Sequence, residues 1–112
     1  MESYRPKVGE VYLAETWIFS GTDPKASRPV VVVREPGHDL ERVFVIGRTS
    51  DVQVLGVRHA ADPSLGLTKP GVFSLRYLRS AEARYFRPPQ VKFRGRLPEP
   101  FLSQILKLYE NE

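Results

Sequence analysis

The sequence has no cysteine, which excludes disulfide staples and thiolate metal ligands at once. Histidine is nearly as scarce: His38 and His59 stand far apart in loop-like sequence, with no carboxylates at a recognisable ligand spacing, so neither a metal site nor a cofactor is expected. His38, in EPGHDLER, reads as part of a solvated turn. Long apolar runs are missing too. Nothing approaches the roughly 20 residues that span a bilayer, and the opening MESYRPKVGE lacks the apolar centre of a signal peptide. A cytoplasmic protein with no membrane contact is the expectation.

What is present fits one small globular domain. The 112 residues are 41% hydrophobic, enough for one modest core rather than two, and 27% charged, which is ordinary for a soluble fold. The excess of 17 basic over 13 acidic residues is mild, and its distribution says more than its size. Between Arg76 and Arg96 seven arginines and lysines face a single acid, Glu82. Arginine outnumbers lysine, and its planar fork suits phosphate oxygens better than an ammonium does.

Along the chain, VGEVYLAETWIF is rich in aromatic and β-branched residues and predicts a strand from about Val8 to Ile18. Gly21, Asp23 and Pro24 then make a loop. In KASRPVVVV four consecutive valines, stiff at χ1, predict a strand buried on both faces with Arg28 at its mouth. RVFVIG predicts a third strand ending near Gly47, and VQVLGV a fourth, interrupted at Gly56. RHAADPSLGLTKPG reads as a long loop. The stretch VFSLRYLRSAEARYF is open between helix and sheet: SAEAR favours helix on propensity, VFSLRYL a strand, with Ser80 as a bend between two strands.

VKFRGR alternates, which puts Val91 and Phe93 on one face and Lys92, Arg94 and Arg96 on the other. That basic stripe fits an RNA backbone, the acidic tail of a protein partner, or equally the wet side of an edge strand. After Pro98 and Pro100, the residues Phe101, Leu102, Ile105, Leu106, Leu108 and Tyr109 recur at helical spacing and predict a C-terminal helix with a broad apolar stripe. The fold class that follows is mainly β, a small antiparallel β-barrel carrying a C-terminal α-helix.

Five segments in order, PKVGEVYLAE, SRPVVVV, VFVIGRTSD, GLTKPGVFSLRYLRSAEA and GRLPEPFLSQILKLYE, resemble the MazF/PemK family of toxin endoribonucleases, collinearly over nearly the whole chain. The resemblance implies an SH3-like barrel that forms a homodimer and cuts single-stranded RNA at short motifs without a metal. It also implies inhibition by a cognate antitoxin, here expected to offer an acidic segment. In the family the arginine of the RP pair and the threonine of the TS pair line the cleavage pocket, which carries over to Arg28 and Thr49 as the catalytic candidates.

The chemistry suits those residue types. Metal-free cleavage turns the 2′-hydroxyl on the adjacent phosphate, so charge gathers on the phosphorane oxygens. An arginine stabilises that charge at any relevant pH but is a poor base. Arg28 opens the second strand and Thr49 follows the third, so antiparallel pairing would bring them together. Ser50, Arg48, Lys25, Phe19 and Arg94 are the candidates for substrate binding. Trp17 and Phe19 are the aromatics available for stacking on bases, with Trp17 better placed as a core residue that closes the barrel. The loop from Trp17 to Ser27 has the composition of a gate.

Two departures from the family pattern bear on activity. Gly47 and Arg48 stand where a proline and an apolar residue are common, and Arg76 and Tyr77 replace an acid–amide pair. Two other functions stay open. One is a topoisomerase poison like the CcdB relatives, which this chain resembles in barrel pattern but not in its C-terminal segment, KLYENE, which lacks tryptophan. The other is a basic barrel that binds nucleic acid or protein without cutting.

Overall fold

Val30 to Val33 form the middle of β2 (Ser27–Arg34), where their branched Cβ atoms favour extended backbone. The structure is a computed structural model and describes residues 5–37 and 41–111; His38 lies outside the described residues. Successive valines point to opposite faces, and all four are at most 5% exposed. Val30 and Val32 join Tyr12, Phe19, Val45 and Phe86, while Val31 and Val33 join Val11, Ile46, Phe73 and Ile105. Burial on both faces is what the valine run predicts. The single modest core expected from composition is therefore two clusters, because a sheet with an apolar central strand must be covered twice.

The remaining strands are β1 (Glu10–Glu15), β3 (Arg42–Thr49), β4 (Val57–His59), β5 (Gly71–Glu82) and β6 (Val91–Arg96), followed by α1 (Phe101–Glu110). They make one antiparallel sheet in the order β4-β5-β3-β2-β1-β6. The sheet curls into a half-barrel, so the expected class, a mainly β barrel-like fold with a C-terminal helix, is what the chain forms. Ile105 is buried in the second cluster, and Phe101, Leu102, Leu106 and Tyr109 pack against it. The apolar stripe of α1 thus closes one face of its own sheet. No helix among the described residues is long and apolar enough to cross a membrane.

Four details differ from the sequence reading. β1 stops at Glu15, because Thr16–Ile18 form a 3-10 turn that redirects the chain. The fourth strand is Val57–His59 rather than Val52–Val57. Asp51 holds the preceding segment as a turn: its carboxylate accepts the Gln53 amide at 3.1 Å and its carbonyl the Val54 amide at 3.2 Å. His59 accordingly lies in a strand and is buried.

The ambiguous stretch from Val72 is one long strand that gives way to a 3-10 turn, Ala83–Tyr85. Pairing runs straight through Ser80, and the irregularity sits lower: Ile46 pairs with Leu78 but Arg48 with Phe73, so Ser74 to Tyr77 stand opposite Gly47 alone. In β6 a bulge also breaks the alternation, since Val11 pairs with Gly95 and Tyr12 with Phe93. Phe93 is consequently half exposed, its ring edge-on to Tyr12 at 5.6 Å.

Candidate functional site

β2 and β3 are antiparallel, with Val30 opposite Gly47 and Val31 opposite Ile46. The same register carried outward sets Arg28 beside Thr49. Both residues line one groove of about 230 Å³, together with Lys25, Ser27, Arg48, Ser50, Thr68 and Lys69. Five of the seven candidates from the sequence, Arg28, Thr49, Ser50, Arg48 and Lys25, therefore share one site.

Arg28 is held on every side. Its Nε and Nη2 donate to Asp23 Oδ2 and Oδ1, each at 2.8 Å, and its Nη1 donates to the Arg48 carbonyl at 3.3 Å. The Tyr77 ring lies below, 4.0 Å from Cζ to the centroid. The two side chains of the ion pair are only 6% and 7% exposed. Hydrogen bonding to Arg28 holds the Asp23 carboxyl below its ordinary range against the opposing effect of burial, and the same bond raises the Arg28 guanidinium further. Asp23 also accepts the Lys25 amide at 2.9 Å, and Arg79 donates to the Thr22 carbonyl at 3.4 Å, so the loop bearing the acid is itself braced.

Gly47 and Tyr77 account for this cradle. A Cβ on Gly47 would lie 2.8 Å from Arg28 Cδ and 2.9 Å from Tyr77 Cβ, so the bare glycine is what lets the arginine cross β3. The bulge opposite Gly47 carries Tyr77 beneath the guanidinium. A Ser74 hydroxyl that accepts the Arg76 amide at 3.1 Å steadies that bulge.

Arg48 lines the groove, but its Nε and Nη2 face protein groups. It is 5% exposed, and its Nη2 donates to the carbonyls of Lys69 at 2.7 Å and His59 at 3.1 Å, while its Nε donates to His59 Nδ1 at 3.2 Å. That bond makes Nδ1 the acceptor, so His59 is the neutral tautomer with its proton on Nε2, 3.9 Å from Asp62. Burial first, and the Arg48 charge second, push the His59 pKa down, while burial lowers that of Arg48. Arg48 is thus a strut that ties β3 to the segment containing Thr68 and Lys69, the far wall of the groove.

Thr49 is 9% exposed, and its Oγ1 accepts the Asp51 amide at 3.1 Å, so the hydroxyl hydrogen is left for donation. Ser50 and Lys25 are exposed on the rim.

Two candidates fall outside the groove. Phe19 is buried against Phe86, with ring centroids 6.3 Å apart, and presents no face to a base. Arg94 packs over Gly66 and is not among the residues that line the groove. Trp17, expected in the core, is 60% exposed. Among the described residues no three histidine or carboxylate side chains gather as a metal ligand set would.

No model of a known family matches this chain, and no curated protein matches it. The geometry of the groove is what bears on function.

Asp23 reads in the sequence only as a loop former, and Gly47 and Tyr77 only as departures from a pattern; the structure makes all three contacts of Arg28. The signal for Asp23 was an acid five residues before the arginine, separated from it by a proline turn that folds the two together. Tyr77 gave no such signal, because it reaches Arg28 only through an irregular register.

Proposed function

We propose that this chain is a metal-independent endoribonuclease that cuts single-stranded RNA, the toxin of a toxin–antitoxin pair. It acts in the cytoplasm as a homodimer and is inhibited by a partner with an acidic segment. The observation that supports this reading most is the meeting of Arg28 and Thr49, distant in sequence, in one groove with lysine and serine on its rim.

In this reaction the 2′-oxygen attacks the neighbouring phosphorus and the bond from phosphorus to the 5′-oxygen breaks. The 2′-hydroxyl gives up its proton and the leaving oxygen gains one. The products are a 2′,3′-cyclic phosphate and a 5′-hydroxyl. Arg28 is suited to the charge on the phosphorane oxygens, with its backbone in β2 and its guanidinium over the Tyr77 ring. The Thr49 hydroxyl donates to one of the same oxygens. A phosphate entering the groove takes the two N–H groups that Asp23 occupies, so the acid must swing away as substrate binds.

The test is incubation of the purified chain with a long single-stranded RNA in EDTA. Discrete cuts with cyclic-phosphate ends, lost in Arg28→Ala, are expected. Intact RNA, or the same cuts from the variant, overturns the proposal. The second reading is a barrel that binds RNA without cutting, and the closed Asp23–Arg28 pair favours it. Salt-sensitive retention of intact RNA is its signature.

A further inference from the structure

Trp17 is the only tryptophan in the chain, and it faces outward. The turn that carries it is firmly held. Ile18 and Phe19 on its C-terminal side are buried in the first cluster, and Phe19 pairs with Ala81 of β5. On the other side the Thr16 amide donates to the Ala26 carbonyl at 3.0 Å. The indole meets the Tyr85 ring edge-on, with centroids 5.9 Å apart, and the guanidinium of Arg84 lies 4.7 Å from the centre of that tyrosine. An aromatic plane is thereby fixed with most of its surface in water.

Trp17 lines a hollow of about 490 Å³ with Glu15, Gly21, Asp23 and Lys25. Lys25 also lines the groove that contains Arg28 and Thr49, so hollow and groove adjoin across one residue. Their chemistry differs. The groove presents arginine and hydroxyl groups suited to phosphate, whereas the exposed Glu15 makes the hollow a poor place for one. An aromatic plane with an acid beside it and a cation on the border suits an uncharged base whose phosphate lies on the cation's far side.

We infer that Trp17 is a base-stacking platform: the nucleobase beside the phosphate held at Arg28 lies on the indole, and Lys25 guides the connecting backbone. This deepens the proposed function and rests on single-stranded RNA being the ligand. Stacking tolerates every base, so the platform adds affinity and fixes the strand's path rather than reading sequence.

The fluorescence of Trp17 provides the test. The probe is a random-sequence 2′-O-methyl oligoribonucleotide, which lacks the nucleophile and is not cut. Titrated into the full chain, it is expected to quench Trp17 to saturation, whereas an abasic oligomer of equal length leaves the emission unchanged. Affinity, measured by anisotropy of a labelled probe, should fall about tenfold in Trp17→Ala and stay near wild type in Trp17→Phe. Equal affinity in Trp17→Ala, or quenching by the abasic oligomer, overturns the platform. So does a change of oligomeric mass in Trp17→Ala with RNA binding intact, which assigns the residue to a protein contact.

Cleavage of a long RNA separates the two proposals. If the wild type leaves it whole while quenching and the tenfold loss persist, the platform stands and the nuclease reading falls. If wild type and Trp17→Ala cut it with the same KM, the nuclease stands and the platform falls.

Discussion

Asp23 grips Arg28 through two parallel hydrogen bonds of 2.8 Å, the geometry with which an arginine takes a phosphate. The carboxylate therefore occupies the two N–H groups that a phosphate would need in the proposed function.

Removing that carboxylate leaves a buried guanidinium without its counter-ion. Asp23→Ala is expected to lose about 3 kcal/mol of stability, near the lower end for breaking a buried pair, because Tyr77 and the Arg48 carbonyl remain. Inorganic phosphate should then raise the melting temperature of the variant much more than that of the wild type, by occupying the vacated position. Thermal melts with and without phosphate read both effects. A variant as stable as wild type and indifferent to phosphate would show that Arg28 is not an anion seat.

Gly47→Ala puts a methyl group where Arg28 and Tyr77 already pack. A stability loss of about 1–3 kcal/mol is expected from the overpacking, measured by denaturant unfolding. RNA cleavage should fall with it as far as in Arg28→Ala, since the guanidinium can no longer lie across β3. Undiminished cleavage would mean that the position of Arg28 is not set by the glycine.

At Thr49 the hydroxyl and the methyl group can be separated. Thr49→Ala should slow cleavage about 100- to 1,000-fold, the loss typical of one donor to a charged transition state, while Thr49→Ser stays within about tenfold of wild type. Single-turnover rates on one RNA substrate give the comparison. Equal losses in both variants would point to packing rather than to the hydroxyl.

Buried against Arg48, His59 is expected to make the fold sensitive to acid. Its folded pKa lies below the ordinary 6.5 because burial and the Arg48 charge oppose protonation. Above about pH 6.5 both folded and unfolded forms are neutral, and the full stability is present. As the pH falls below that value the unfolded chain binds a proton that the folded chain refuses, so stability drops by at most about 1.4 kcal/mol per pH unit until the folded pKa is passed. The Asp23 carboxyl adds a second decline near and below its ordinary value of 3.8, since its folded pKa is also depressed. Unfolding free energies between about pH 8 and pH 5 should show the first slope and His59→Asn should flatten it, because the amide oxygen still accepts from Arg48 but does not titrate.

The parts of the fold that were legible in the sequence are those where one period governs a whole segment. The valine run and the apolar stripe of α1 each repeat a simple pattern, and each forms the element that pattern predicts. Arg28 and Thr49 were legible as neighbours for the same reason, since antiparallel pairing of adjacent strands is a local rule. The misses fall where regularity breaks. Trp17 and Phe19 would share a face in a strand, but the 3-10 turn between them sends one into water and the other into the core. Tyr77 reaches the site only because β5 carries extra residues opposite Gly47, a long-range fit that no window of sequence contains. Arg48 read as a ligand contact because its partners are mostly backbone carbonyls, which composition never displays.

β2 has no wet side. In a saturation library most half-buried strands tolerate change at every other position, like the teeth of a comb. Positions 30 to 33 should instead form one unbroken block of intolerance. The rigidity that aims Arg28 therefore leaves the strand behind it almost no freedom to drift.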